Sequence, residues 1–560
     1  MIASIAHAIM RRRITRGPRS CLLTASAIPH DERVFMSKVK NILFIMCDQL
    51  RADHLSCYGH KRLSTPAIDA LAARGTRFTR AYVQAPVCGP SRMSYYTGRY
   101  TLSHGATWNF VPLPVGERTL GDYLRPAGVR TAVVGKTHHE PDVDGMKWLG
   151  LSPTEGVGKL IATGGFEEVW RDDGIHPDHN TPHDLAYNEY LRANGFAGKN
   201  PWHEWANSGV DEKGELASGW LIRNSHRPAR LPEEFSETAY TAKRAIEFIT
   251  EQGEKPWCLH MSFIKPHWPY IASAPYHDMY GREDALPPVR SEAERSDDAN
   301  PIFLGFQEHP ESVSFSKDEV RLNMQPAYMG MVKQIDDHLG RVMSFLEKAG
   351  RLADTMIVFT ADHGDYQGDH WQGEKEFMYE QGVRVPLIVV DPSPEAKRGA
   401  VCNALVEAVD MVPTFMDALG LKIPTHIIEG RSILPLLHGT ADKVREAAFA
   451  ELDFAIYPTA RKLGLQPREA RMVMSCTERW KLVHFGRDFP PQLFDLQEDP
   501  LELADRGRDR GAVYGRARDE LYHLLFDWMR ERRNRIGMTD EAVAKRPSPA
   551  AAGGVTIGVW

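Results

Sequence analysis

The stretch Cys88-Gly-Pro-Ser-Arg-Met-Ser-Tyr-Tyr-Thr-Gly-Arg99 has the pattern of a turn that runs into a helix. The glycine and proline that follow Cys88 keep it outside a regular element, and proline is tolerated in the first turn of a helix. We expect Ser91 to cap a helix over residues 92–97, and Gly98 to end it in a left-handed conformation. Cys88 would then lie just before a helix N-terminus, where unpaired N–H groups favour a nucleophile or an anion.

The composition is that of a large globular protein. The 560 residues are 42% hydrophobic and 25% charged, which suits one large domain with a smaller one. The net charge of −6 leaves no basic footprint for nucleic acid, and no apolar run is long enough to span a bilayer. The seven cysteines are odd in number and scattered, which disfavours a disulfide framework. We therefore expect a reducing compartment, the cytoplasm.

Short apolar runs predict buried parallel strands at residues 41–47, 130–134, 257–264 and 356–359. Open α/β sheets bind ligands at the carboxyl ends of such strands. Each run is followed by polar residues, which are Asp48 and Gln49, then Lys136, Thr137 and His138, then His267, and finally Asp362 and His363. Taken singly, each has an ordinary alternative: a turn-forming aspartate, a solvated lysine or a surface histidine. Only a doubly wound sheet would bring them together.

The run from Cys88 to Arg99 resembles the signature of the sulfatase family, C-x-P-S-R followed by T-G-R, in which the cysteine is oxidised to formylglycine. The resemblance extends from about residue 40 to about residue 502. It implies an α/β fold similar to that of alkaline phosphatase: a large mixed, mostly parallel sheet flanked by helices, with a small C-terminal antiparallel sheet plus a helix. It also implies hydrolysis of sulfate or related esters.

The same resemblance implies that Asp48, Gln49, Asp362 and His363 hold one divalent cation. The Asp48-Gln49 pair stands where the family usually has Asp-Asp. Asp362-His363 stands where many sulfatases have Asp-Asn, and is similar to the pair in the phosphonate monoester hydrolase and choline sulfatase branches. Oxygen ligands suit Ca²⁺, Mg²⁺ or Mn²⁺, and the imidazole favours Mn²⁺, so we predict Mn²⁺ or Ca²⁺.

Basic residues around the nucleophile also match family positions. The G-K-x-H motif implies that Lys136 bridges the nucleophile and a substrate oxygen, and that His138 contacts the nucleophile. Arg92, Lys136 and Lys375 would hold the oxygens of a sulfate or phosphate that gains charge. The P-H-x-P segment implies that His267 contacts the ester oxygen, so His267 or Lys375 would protonate the leaving group.

Two further residues are predicted substrate contacts. Asn109 lies in a segment, His104-Gly-Ala-Thr-Trp-Asn109, that looks like the family's substrate-binding loop. Thr137 lies between the two basic residues of the G-K-x-H motif. An asparagine in a loop that contains glycine is more often part of a turn, and this alternative stays open.

The resemblance implies an arylsulfatase that acts on a small-molecule ester after a formylglycine-generating enzyme has modified Cys88. We expect promiscuity toward phosphonate monoesters and phosphodiesters, which are monoanions as aryl sulfates are. Phosphonate monoester hydrolases replace G-K-x-H with a Tyr/Thr version and often carry alanine after the motif proline. Lys136, His138 and Ser91 therefore favour a sulfatase. The alternatives are a phosphonate monoester hydrolase or phosphodiesterase as the main activity, and a non-catalytic relative that binds an anion.

The predicted organisation has four parts. Residues 1–37 form a disordered or non-native extension, residues 38–440 the catalytic domain with an insertion at 140–235, residues 441–545 a C-terminal α+β subdomain, and residues 546–560 an arm. The arm has an apolar end, which suggests docking on a neighbouring subunit, with packing within its own chain as the alternative, and we expect a homo-oligomer, a dimer or a tetramer. Within a helix over residues 317–350, we expect Pro326 to force a break or a restart.

Overall fold

A computed structural model describes residues 38–177 and 185–546 of the chain. The predicted N-terminal extension, and the predicted arm beyond Arg546, lie outside the described residues. Among the helices within these two ranges, none has the combination of length and hydropathy needed to cross a bilayer.

The strands form one large sheet, one small sheet and two short pairs. In chain order they are β1 (Asn41–Asp48), β2 (Thr76–Tyr82), β3 (Arg130–Gly135), β4 (Glu167–Arg171), β5 (Ser208–Val210), β6 (Leu216–Ser218), β7 (Pro228–Ala229), β8 (Trp257–Pro266), β9 (Ala272–Ser273), β10 (Thr355–Ala361), β11 (Arg384–Val390), β12 (Ala400–Cys402), β13 (Val406–Glu407), β14 (Ala448–Asp453), β15 (Arg471–Cys476), β16 (Trp480–Phe485) and β17 (Gln492–Asp495).

The α-helices lie between and after these strands. They are α1 (Pro66–Arg74), α2 (Cys88–Thr97), α3 (Thr101–His104), α4 (Leu120–Leu124), α5 (Val143–Trp148), α6 (Gly156–Ala162), α7 (Ala186–Ala193), α8 (Glu237–Gln252), α9 (Pro301–Gln307), α10 (Pro310–Phe315), α11 (Asp318–Lys348), α12 (Glu380–Val383), α13 (Met411–Ala418), α14 (Leu434–Leu437), α15 (Pro458–Lys462), α16 (Ala512–Arg530) and α17 (Asp540–Ala544).

The large sheet is mixed and mostly parallel. Its strand order is β12-β2-β11-β10-β1-β8-β3-β4, with β13 also paired to β2. Strands β10, β1, β8, β3 and β4 run parallel, and β11 is antiparallel to both of its neighbours. Every residue of β1, β8 and β10 is buried. Because successive side chains of a strand point to opposite faces, the centre of this sheet is covered on both sides.

The small C-terminal sheet is an antiparallel ribbon of β14, β15, β16 and β17 in sequential order. Helix α16 packs against β15 and β16 and buries Leu521, Leu525 and Trp528. Together with the large sheet, this confirms the predicted fold class. The segment predicted as an insertion, residues 140–235, supplies β4 at the edge of the large sheet.

Two local predictions are wrong. Helix α2 begins at Cys88 itself, and Ser91 is not its cap, because the Ser91 hydroxyl donates to the backbone carbonyl of Asp362. Helix α11 continues through Pro326 without a break. A proline inside a helix costs about 3 kcal/mol locally, and the buried residues on both sides of Pro326 show that packing outweighs this cost. Gly98 does end α2, with φ at 69°.

Candidate active site

Parallel strands of the large sheet end at one edge and carry most of the predicted polar residues there. The residues at these strand ends are Asp48 at the end of β1 and Gln49 after it, Lys136, Thr137 and His138 after β3, His267 after β8, and Asp362 and His363 after β10. The predicted convergence of distant segments is therefore present in the fold.

Helix α2 brings Cys88 to the same edge. Its sulfur lies 3.1 Å from Nε2 of His363, 3.4 Å from Nζ of Lys375 and 3.8 Å from Oδ1 of Asp48. Burial opposes ionisation of the thiol, but Lys375, Lys136 and His363 outweigh it and hold the pKa of Cys88 well below its usual range. The surroundings thus favour a negatively charged group at position 88.

The donor atoms fit a divalent cation. One ligand atom from each of Asp48, Cys88, Asp362 and His363 lies within 4.8 Å of all the others, and the four residues are buried. Nδ1 of His363 lies 2.9 Å from the carbonyl of Gly364, so Nδ1 carries a proton and Nε2 is the atom that faces the cluster. Burial lowers the pKa of His363, but Asp362 and Cys88 raise it to about 9, which shows that positive charge is favoured here.

Gln49 adds an amide to this cluster. Its φ of 63° is uncommon for a residue other than glycine. The backbone N–H donates to Oδ1 of Asp362 at 3.0 Å, and the side-chain oxygen accepts from Nζ of Lys375 at 3.0 Å. The turn after β1 therefore places the amide beside both the carboxylates and the lysine.

Arg92 and Lys136 are paired with the carboxylates of the cluster. Nε of Arg92 lies 2.7 Å from Oδ2 of Asp362, and Nη2 lies 3.3 Å from Oδ2 of Asp48. Nζ of Lys136 lies 2.6 Å from the same Asp48 oxygen. Burial and the Cys88 sulfur oppose ionisation of Asp48, yet positive neighbours, Lys136 and Arg92 among them, hold its pKa below the usual range. Asp48 is consequently kept ionised.

His138 of the G-K-x-H motif and His267 of the P-H-x-P segment both lie near Cys88. Both side chains interact with the Cys88 sulfur: His138 contributes to the low pKa of Cys88, and Cys88 partly offsets the effect of burial on the pKa of His267. His267 Nδ1 also lies 2.7 Å from the carbonyl of Trp268. The backbone N–H of His138 donates to Oδ1 of Asp173 at 2.8 Å, and its φ is 47°.

The two predicted substrate contacts have protein partners. The side-chain oxygen of Asn109 accepts from the backbone N–H of Gly89 at 2.8 Å and so caps helix α2. The backbone N–H of Thr137 donates to Oδ1 of Asp173 at 2.9 Å, and its buried hydroxyl lies 3.5 Å from the same atom. Both residues thus support the segments that carry the nucleophile and the basic residues.

We expect Asn109→Ala to lower the free energy of unfolding by about 1 kcal/mol, because it leaves the Gly89 N–H at the start of α2 without its acceptor. Urea unfolding and the melting temperature measure this. Asn109→Asp keeps an acceptor and is the matched control. If Asn109 serves the substrate alone, Asn109→Ala raises KM and leaves unfolding unchanged.

Three supporting residues were missed by the sequence analysis. Asp173 fixes the segment after β3, and Asp365 and Tyr270 contact the Gln49 amide. Asp365 lies in the same strand-end motif as Asp362, which is a usable signal. Nothing in the local pattern marks Asp173 or Tyr270, because their roles depend on contacts between distant segments.

The comparisons with known proteins agree with this geometry. The family model for sulfatases matches residues 40–421, and the model for the C-terminal part of N-sulphoglucosamine sulphohydrolase matches residues 368–525. The chain is 31% identical to the multifunctional alkaline phosphatase superfamily protein PehA of Trinickia caryophylli, over 84% of this chain and 91% of that protein. It is 28% identical to an arylsulfatase of Clostridium perfringens, over 83% of this chain and 89% of that one.

Solved structures give the same result. A phosphonate monoester hydrolase from Silicibacter pomeroyi aligns with a TM-score of 0.77 at 28% identity, over 90% of this chain and 98% of that one. The fold and the site define a hydrolase of sulfate or phosphonate esters with the architecture of the alkaline phosphatase superfamily. Within that class, the chain belongs to the sulfatase family.

Proposed function

We propose that the protein hydrolyses sulfate monoesters of phenols, with formylglycine made from Cys88 as the nucleophile. The observation that carries this proposal is the position of the Cys88 sulfur. It lies at the start of α2, within 3.8 Å of Asp48, His363 and Lys375, where an attacking oxygen would be needed.

The residues proposed to hold the cation are Asp48, Gln49, Asp362 and His363, with Mn²⁺ or Ca²⁺ as the ion. When bound, the cation acts as a Lewis acid that stabilises negative charge on oxygen. The ligand set has two formal negative charges, those of Asp48 and Asp362, which the cation balances. Arg92, Lys136 and Lys375 then remain in excess, which suits an anionic substrate.

The proposed reaction begins with the formylglycine aldehyde at residue 88 in its hydrated form, which carries two hydroxyl groups on one carbon. One of its hydroxyl groups loses a proton and attacks sulfur, the bond from sulfur to the phenol oxygen breaks, and the phenol oxygen takes a proton. Arg92, Lys136 and Lys375 hold the remaining sulfate oxygens during this step. The second hydroxyl then loses its proton, a C=O bond forms, and the C–O bond to sulfate breaks. Sulfate leaves, and water hydrates the aldehyde again.

The burial of the site suits a small sulfate group that reacts inside it, while the rest of the substrate can vary. Cys88, Lys136 and His267 are at most 1% exposed, whereas the side chain of Glu374, which accepts from Trp268, is 16% exposed. The sulfate would enter the buried cluster, and the phenol would remain toward these more exposed residues. A formylglycine-generating enzyme is the implied partner, and we propose a homo-oligomer that works in the cytoplasm.

Phosphonate monoester hydrolysis is the second candidate, because phosphonate monoester hydrolases from Silicibacter pomeroyi and Agrobacterium radiobacter align with TM-scores of 0.77 and 0.75. We expect both 4-nitrophenyl sulfate and a phenyl phosphonate monoester to be turned over. The sulfate should have the higher kcat/KM by about tenfold or more, a difference of ~1.4 kcal/mol in the barrier. Steady-state kinetics on one preparation measure both. A faster phosphonate supports the second candidate, and no turnover of either supports an anion-binding relative.

A further inference from the structure

We propose that Asp365 and Tyr270 are positioning residues that fix which end of the Gln49 amide faces the cation site. This inference rests on the proposed function, because it assigns Gln49 a ligand oxygen. Neither residue belongs to the cluster of Asp48, Cys88, Asp362 and His363.

The three side chains form a closed triangle of hydrogen bonds. Nε2 of Gln49 donates to Oδ2 of Asp365 at 2.8 Å and to the hydroxyl of Tyr270 at 3.2 Å. The Tyr270 hydroxyl donates its own proton to the same Asp365 oxygen at 2.9 Å. Both amide protons and the phenol proton are therefore used within the triangle.

The nitrogen and oxygen of the Gln49 amide are distinguished by their hydrogen-bond partners. The Asp365 oxygen that faces the amide already accepts the Tyr270 proton, and an ammonium group can only donate hydrogen bonds. Asp365 lies at one end of the amide, and Nζ of Lys375 lies 3.0 Å from the other. The nitrogen must face Asp365 and the oxygen must face Lys375, since the reversed amide would place donor against donor and acceptor against acceptor.

The same contacts favour an amide over a carboxylate of the same length at position 49. A carboxylate that extended to the same place would meet Asp365, which is fully buried, with no proton between the two groups. Gln49 is also 0% exposed, and its amide contacts Asp365 directly at 2.8 Å, so no water lies between the two groups. The amide oxygen is the one part of this side chain that is left for a cation.

The test is a titration of metal-free protein with Mn²⁺ by calorimetry. We expect Asp365→Leu, which keeps the bulk but has no acceptor, to raise the Mn²⁺ dissociation constant by roughly 10- to 100-fold, as for other residues that orient metal ligands. Asp365→Asn keeps an acceptor oxygen and should raise the dissociation constant by a smaller factor. Tyr270→Phe removes the hydroxyl but leaves the hydrogen bond from Gln49 to Asp365, so it should also raise the dissociation constant by a smaller factor. Asp391→Asn, at another buried aspartate, controls for general effects of removing a carboxylate.

A double-mutant cycle separates positioning from charge and from folding. In a Gln49→Ala background, Asp365→Leu should change the Mn²⁺ dissociation constant by less than about threefold, because there is no amide left to orient. The inference is overturned if Asp365→Leu weakens Mn²⁺ binding equally in the wild-type and Gln49→Ala backgrounds. It is also overturned if Asp365→Leu and Asp365→Asn weaken Mn²⁺ binding equally. If Gln49→Ala leaves Mn²⁺ affinity unchanged, the ligand set of the proposed function is wrong instead. Melting temperatures of the metal-free variants identify any that fail to fold.

Discussion

Cys88→Ser is expected to lower kcat for an aryl sulfate by roughly 10⁴- to 10⁶-fold, the range seen when an enzyme loses its nucleophile. The Cys88 sulfur lies 3.1 Å from His363 and 3.4 Å from Lys375, so a serine hydroxyl would occupy the same place and could still attack sulfur. It has no second hydroxyl, however, and the covalent sulfate ester could not collapse to an aldehyde. We therefore expect one equivalent of phenol to be released and the sulfated protein to accumulate.

Intact-protein mass spectrometry after mixing with substrate measures this adduct, and digestion locates it at position 88. Cys402→Ser is the matched control, because Cys402 is a free, half-buried thiol on the edge strand β12. The wild-type peptide that contains residue 88 should be lighter than the encoded cysteine peptide, as formylglycine requires. A full-activity Cys88→Ser variant, or an unmodified cysteine in active enzyme, would contradict the proposed chemistry.

The motif at Cys88 and the polar strand ends could be predicted from the sequence for a physical reason. A fully buried parallel strand such as β1 must be continuously apolar, so a polar pair directly after it marks the carboxyl edge of the sheet. Asp48 and Asp362 lie on β1 and just after β10, which are neighbours in the sheet. Their proximity follows from the topology that the resemblance implied.

Other parts of the site could not be predicted, because they depend on contacts between distant segments. Asp173 follows β4, and its carboxylate receives the backbone N–H groups of Thr137 and His138 across 35 residues or more. The cap of α2 is similar, since Asn109 supplies it from outside the helix while the local candidate, Ser91, bonds to Asp362. The local sequence indicates which polar groups need a hydrogen-bond partner, but the partner itself depends on the tertiary structure.

The proton donor to the leaving group can be assigned from hydrogen bonding, and we expect it to be Lys375. The Trp268 carbonyl can only accept, so Nδ1 of His267 carries a proton at 2.7 Å from it. Burial, together with Lys375 and Lys136, lowers the pKa of His267 to about 3 against the opposing effect of Asp48. A neutral ring with its proton on Nδ1 has none on Nε2. Burial lowers the pKa of Lys375, but in the unmodified chain Cys88, Glu374 and Asp48 outweigh burial and raise that pKa above its usual range. Glu374 and Asp48 remain when Cys88 becomes formylglycine, so we expect the ammonium to be present.

Lys375→Met should therefore reduce kcat in a way that depends on the phenol, by about 10²-fold for acidic phenols and up to about 10⁴-fold for weakly acidic ones. His267→Gln should lower kcat by a similar factor for every phenol, because its loss affects the contact with residue 88 rather than proton delivery. The measurement is the slope of log kcat against the pKa of the leaving phenol for a series of aryl sulfates. Lys255→Met, at an exposed lysine, is the control. A steeper slope in His267→Gln with an unchanged slope in Lys375→Met would reverse the assignment, since only loss of the proton donor makes the rate more sensitive to leaving-group basicity.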